Sequence, residues 1–98
     1  MPIASGNIVT GAKSSIGTTA VQLTSTSTRC VHGVLVVADP GNSGDVYVGR
    51  EGVTAGTADA TDGVRLRPGD AIEIEIDEVT KVYVIGSAAG QKVWWAAL

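Results

Sequence analysis

Hydrophobic and polar positions alternate along most of this chain, and the period is two. The cleanest case is AIEIEID, Ala71–Asp77, where Ile72, Ile74 and Ile76 fall on one side of an extended segment and Glu73, Glu75 and Asp77 on the other. One face of that strand belongs to a core and the other to water or a partner. Strand-like stretches recur at NIVTGAK (Asn7–Lys13), TTAVQLT (Thr18–Thr24), DVYVG (Asp45–Gly49), VRL (Val64–Leu66), TKVYVIG (Thr80–Gly86) and QKVWWAAL (Gln91–Leu98). RCVHGVLVVA, Arg29–Ala38, is the most hydrophobic run and predicts a central strand buried on both faces. Breakers separate these stretches: DPGNSGD (Asp39–Asp45), a Gly/Thr/Asp/Ala loop over Arg50–Gly63 with room for one short strand, Pro68-Gly69, Asp77-Glu78 and Ser87–Gly90. About seven or eight short strands, turn signals roughly every 8–12 residues and no helical apolar stripe predict an all-β fold. The expected architecture is a single-domain antiparallel β-sandwich, jelly-roll-like, over residues 6–98. Met1–Ser5 lacks strand character and reads as an N-terminal arm.

Composition narrows the classes. A chain of 98 residues forms one small domain, and its 44% hydrophobic content is that of a globular protein. Net charge is −3, and the seven Lys and Arg are scattered, so no basic stripe is available for nucleic acid. The single cysteine, Cys30, cannot form an intrachain disulfide, which fits synthesis in a reducing compartment. The start MPIASGNIVT has neither the basic residues nor the apolar stretch of an export signal, and no run approaches membrane-spanning length. The expectation is a soluble chain made in the cytoplasm, with no membrane contact.

VTGAKSSIGTTAVQL, Val9–Leu23, raises a sharper question. Thr10-Gly11 and Gly17 match the outer positions of the dinucleotide loop of short-chain dehydrogenases, but Ser15 stands where the middle glycine must let backbone approach a pyrophosphate. The segment after it is rich in Thr and Ser rather than helix formers, and no acid occurs before Asp39 to meet a ribose. Neither Tyr47 nor Tyr83 begins a Tyr-x-x-x-Lys. The alternative phosphate loop, Gly6 to Lys13-Ser14, carries one residue too many before its lysine. The preferred reading is a turn between the first two strands, and no cofactor is expected.

Other constellations are equally thin. Cys30 and His32, two apart, would share a strand face, yet zinc needs more ligands and the flanking VLVVA suggests packing. Glu73 and Glu75 lie about 7 Å apart by strand geometry, on a regular strand with no sign of a cleft; a solvated or partner-facing surface, with Arg65, Arg67 or Lys81 in reach, is the simpler account. Asp39, Asp45, Asp59 and Asp62 lie in loops without calcium-loop spacing. No metal and no catalytic residue is expected. Trp94 and Trp95 are adjacent, so a strand sends them to opposite sides: one enters the core and the other stays outside as packing, a subunit anchor or a platform for sugar.

The order of these motifs carries a resemblance. Asn42-Ser43-Gly44-Asp45-Val46-Tyr47-Val48-Gly49 is followed by Gly52-Val53-Thr54-Ala55, then Leu66-Arg67-Pro68-Gly69-Asp70, then Val82-Tyr83-Val84-Ile85-Gly86. Over roughly Thr18 to Val93 the chain resembles small virion structural proteins of tailed bacteriophages, including capsid decoration (cement) and head- or tail-accessory proteins. The resemblance implies a β-sandwich or jelly roll, often a homotrimer, made in the host cytoplasm and bound outside the capsid to the major capsid protein, with no enzymatic activity. Contacts are then expected from Met1, Pro2 and Ile3 of the arm, from Arg50 and Glu51 at the head of the loop, and from Trp94, Trp95 and Leu98. The competing expectation is a carbohydrate-binding or host-contact module of a head or tail fibre, with Tyr47, Tyr83, Trp94 or Trp95 stacking on sugar.

Overall fold

β-Branched and apolar residues at alternate positions set where the chain extends, and Gly, Pro and Asp set where it turns. The computed structural model describes residues 8–57 and 60–98. Among them run β1 (Val9–Ile16), β2 (Val21–Gln22), β3 (Val34–Ala38), β4 (Val46–Gly49), β5 (Val64–Leu66), β6 (Ala71–Ile74), a 3₁₀ turn (Val79–Lys81), β7 (Tyr83–Gly86) and β8 (Gln91–Ala97). They form two four-stranded antiparallel sheets, ordered β1-β8-β3-β6 and β2-β7-β4-β5. The pairs β1·β8, β2·β7, β3·β6 and β4·β5 are nested in sequence. That nesting is one long hairpin rolled into two layers, the jelly-roll arrangement. The fold is the all-β sandwich that the alternation predicts.

The inner faces meet in a core of Val34, Val36, Val46, Val48, Val82, Val84 and Val93 with Ile16, Leu23, Leu66 and Trp95. Valine suits this place because its branched side chain loses little freedom on a pleated, half-buried surface. Ile72, Ile74 and Ile76 pack against the margin of the core while Glu73, Glu75 and Asp77 face out, as AIEIEID predicts.

Several expectations are corrected. The strand expected over Asn7–Lys13 is present as β1, but it runs on to Ile16 through Ser14 and Ser15, where the turn is expected. Its register against β8 holds from Val9 to Lys13 and shifts between Lys13 and Ile16. Ser15 sits there with φ 56, the left-handed conformation of a bulge residue. The bulge bends the strand so that Gly17 accepts a hydrogen bond from the Gly86 N–H in the other sheet. A side chain at that φ is strained by about 1–2 kcal/mol. Ser15→Gly is therefore expected to stabilise the domain by about 0.5–1 kcal/mol after the entropy of the unfolded glycine is subtracted. Urea unfolding checks this, and a lowered midpoint for the variant would overturn the strain argument.

The Arg29–Ala38 run is a strand only from Val34, with Val34, Val36 and Ala38 buried and Leu35 and Val37 half-buried on the opposite face. Gly33 breaks it at φ 155. Cys30 and His32 therefore share no strand face; Cys30 packs against the core and His32 is exposed. TTAVQLT is extended only at Val21–Gln22. The first residues of TKVYVIG form the 3₁₀ turn, and the Arg50–Gly63 loop contains an isolated Thr54–Asp62 bridge in place of a strand. Arg65 pairs with Asp45 and Lys81 with Asp77, each at 2.8 Å, rather than with Glu73 or Glu75. The arm Met1–Ser5 lies outside the described residues.

Candidate functional site: an apolar outer face around Trp94

The outer face of an antiparallel sheet is ordinarily polar, because alternation sends the apolar set inward. The outer face of β1-β8-β3-β6 departs from that rule. Register places Thr10, Ala96, Leu35 and Glu73 in one row across the four strands, and Ala12, Trp94, Val37 and Ala71 in the next. Apart from Thr10 at one edge and Glu73 at the other, both rows are apolar. Trp94 is 46% exposed, while Trp95 beside it is 8% exposed. An open groove of about 470 Å³ runs between β1 and Trp94, with Leu35, Val37, Ala12 and Ala96 among its walls. Beyond the Thr10 row, alternation puts Ile8 and Leu98 on the same face, and both are exposed. Exposed Val31 adjoins them, since the N–H groups of Val31 and His32 donate to the Leu98 carbonyl at 2.8 and 2.7 Å.

Trp94 is held in place. Its indole Nε1–H donates to Asp39 Oδ1 at 3.1 Å, and Lys92 Nζ lies 3.9 Å from the ring centroid. The indole hydrogen bond first, then the Gly41 N–H and the charge of Lys92, hold the Asp39 carboxyl below the usual carboxylate range. Because that pKa is lowered, the contact is complete above the ordinary carboxylate range and is lost as pH falls through the depressed value. Asp39 comes from DPGNSGD, and the rest of that segment clamps the start of β8. Asn42 Nδ2 donates to the Lys92 carbonyl at 2.9 Å, and its Oδ1 accepts from the Lys92 N–H at 2.8 Å. Gln91 is fully buried; its Nε2 donates to Ser43 Oγ and to the Ala88 and Ala89 carbonyls, and its Oε1 accepts from the Gly44 N–H. Asn42-Ser43-Gly44, the head of the VYVG motif, is thus the socket for Gln91-Lys92 and the buttress of Trp94. Sequence reasoning missed Gln91, whose partners Ser43 and Gly44 lie far away in the chain.

The expected contact residues divide. Trp94 and Leu98 belong to this face. Trp95 also lines the groove, but it is largely buried, and its ring lies under Gly11 so closely that a Cβ at Gly11 would stand 2.5 Å from Cζ2. Arg50 and Glu51 are exposed but follow β4 in the opposite sheet. Arg50 and Lys81 rim a second apolar slot of about 300 Å³ between the sheets, whose walls Val48, Ile72, Ile74 and Val82 are already part of the core or its margin. Met1, Pro2 and Ile3 lie outside the described residues.

The groups weighed for chemistry are dispersed. Among the described residues no group of three or more His, Cys, Asp or Glu could hold a metal ion. Burial pushes the Cys30 thiol up, and Glu78 and Asp77 push it further, so the reactive thiolate is disfavoured. Asp62 accepts from the hydroxyls of Thr54 and Thr57 at 2.6 Å each and organises the 50–63 loop. Among the described residues no helix is long and apolar enough to cross a membrane. No protein-family model matches this chain, and no curated protein matches it.

Proposed function

We propose that the chain is a non-enzymatic cement protein of a tailed bacteriophage, bound to the major capsid protein on the outside of the shell. The observation that carries this reading is the apolar outer face of β1-β8-β3-β6, with a braced, half-exposed Trp94 at its centre. A sheet face of that composition is unfavourable in water and marks a surface that a partner covers. Large aromatics in such a setting are the residues that dominate binding energy. The resemblance to small virion proteins supplies the partner. A protein that binds assembled shell better than free subunits stabilises the shell by mass action, and a trimer in which every copy engages would add avidity. The chain would be made in the host cytoplasm and end on the virion exterior.

The sugar-binding reading would also use Trp94. It is less well supported because Lys92 already covers the ring, Asp39 already bonds the indole and the Gly41 N–H, and the groove walls are Leu, Val and Ala. A sugar site needs convergent polar groups.

The test uses particles of the parent phage prepared without this chain, to which purified variants are added and occupancy measured. Trp94→Ala is expected to weaken binding about 10–100-fold, the range of a central aromatic anchor. Leu35→Glu, which forces a charge into the covered groove, should do at least as much, and Arg50→Ala should change occupancy little. Full occupancy for both face variants would remove the reading, and specific glycan binding without shell binding would replace it with the second.

A further inference from the structure

We infer that the edge of β1, unpaired among the described residues, accepts an extended strand from the shell partner, which pairs with β1 as a fifth strand and places one large apolar side chain in the Trp94 groove. This rests on the reading of that face as the docking surface, and it names the backbone groups and the kind of segment involved.

The hydrogen-bonding phase of the sheet identifies the free groups. Gly33 and Leu98 exchange both N–H···O bonds, and the Asp39 N–H donates to the Lys92 carbonyl. Alternation then points Lys92, Trp94, Ala96 and Leu98 at β3, and Val93, Trp95 and Ala97 at β1. Their partners Lys13, Gly11 and Val9 are therefore the β1 residues bonded to β8. Thr10 and Ala12 direct their N–H and C=O groups away from the sheet, and these are the residues whose side chains border the groove.

The other three edges are protected as edge strands usually are. β2 has two residues, β5 has three including Arg65, and β6 has four beside exposed Glu73 and Glu75. β1 has eight residues, no proline and one charge, Lys13. Strand addition obtains affinity from the main chain and specificity from alternate side-chain pockets, and here an apolar groove adjoins the edge of β1.

A second copy of the chain fits this edge less well. Two β1 strands paired antiparallel about Gly11 would set Thr10 opposite Ala12, and those small side chains would leave most of the groove of about 470 Å³ empty. A foreign strand with a large apolar residue fills it. Lys13 is the charged side chain of β1 and pairs with Val93, so by alternation it lies on the face opposite the groove. The residue next to the groove residue in an added strand falls on that same face, and an acidic one there matches Lys13.

Amide hydrogen exchange on the wild-type chain, free and bound to particles prepared without it, tests the inference. The Thr10 and Ala12 amides should exchange freely when free and slow at least about tenfold when bound, while those of Gly11 and Lys13, already in the β8 ladder, change less. Thr10→Pro removes an N–H that β8 does not use, so the domain should stay folded and bind at least about tenfold more weakly. If Thr10 and Ala12 stay unprotected in the bound state while Leu35→Glu still abolishes binding, strand addition is overturned and face docking stands. A dimer in solution that Thr10→Pro converts to monomer also overturns it, in favour of a second copy. If wild-type protein does not bind the particles, both readings fall together. Should Thr10→Pro not fold, the exchange result on wild-type protein decides alone.

Discussion

Trp95→Ala is expected to destabilise the domain by about 3–5 kcal/mol, the range for truncating a large buried aromatic, whereas Trp94→Ala, one residue away, should cost less than about 1 kcal/mol. The first removes a ring that fills the space between β1 and the second sheet; the second removes one that stands in water against Lys92 and Asp39. A domain of this size has about 5–15 kcal/mol in total, so Trp95→Ala removes a large part of it and should lower Tm on the order of 15–30 °C. Gly11 provides an internal check. A methyl there collides with the Trp95 ring, so Gly11→Ala should be costly with Trp95 present and mild in a Trp95→Val background, a coupling that a double-mutant cycle reads directly. Equal unfolding midpoints for Trp94→Ala and Trp95→Ala would show that the assignment of inside and outside is wrong. The pair also separates folding from binding: a shell-binding defect in Trp95→Ala carries no information about the interface, and one in Trp94→Ala does.

How far this was legible in the sequence depends on whether a residue's role is local. AIEIEID announced its two faces because alternation is a property of neighbours, and the opposite fates of Trp94 and Trp95 followed for the same reason. Turn chemistry was equally plain: Arg67–Asp70 closes on itself, with the Asp70 side chain accepting from the Arg67 N–H and Gly69 at φ 89. Long-range roles were not legible. Gly11 reads from the sequence as backbone freedom near a turn, because a glycine in TGAK advertises it, but what requires it is the ring of Trp95, far along the chain. Gln91 read as an ordinary polar strand residue, and only the approach of Ser43 and Gly44 makes it a buried hub. VLVVA is the most instructive case. Its apolar residues on both faces predicted burial on both, yet the fold covers only one. Among the described residues no second layer covers Leu35 and Val37, and the partner we propose is what would supply it.

Gly33→Ala is expected to cost about 2–6 kcal/mol, the sum of a backbone strained by about 1–3 kcal/mol and an overpacked contact of similar size. Its φ of 155 is one that a side chain rarely adopts, and an added Cβ would lie 2.1 Å from the Ile74 carbonyl oxygen and 2.9 Å from its carbon. Both are backbone atoms, so no rotamer change relieves the clash. Either the end of β6 moves away from β3, breaking the Val34–Ile74 pair, or residue 33 rotates and surrenders its bonds to Leu98. The two escapes are distinguishable. In the first, amide exchange accelerates along β6 and leaves Leu98 protected; in the second, the amides of His32 and Leu98 lose protection and β6 keeps it. The second also has a functional consequence, because Gly33 ties down the end of β8, where Leu98 extends the apolar face. Loosening it should weaken shell binding beyond what the residual fold accounts for, measured at a temperature where the variant is fully folded. An unchanged Tm for Gly33→Ala would mean that β3 and β6 are farther apart than the register requires, and the outer rows built on that register would have to be redrawn.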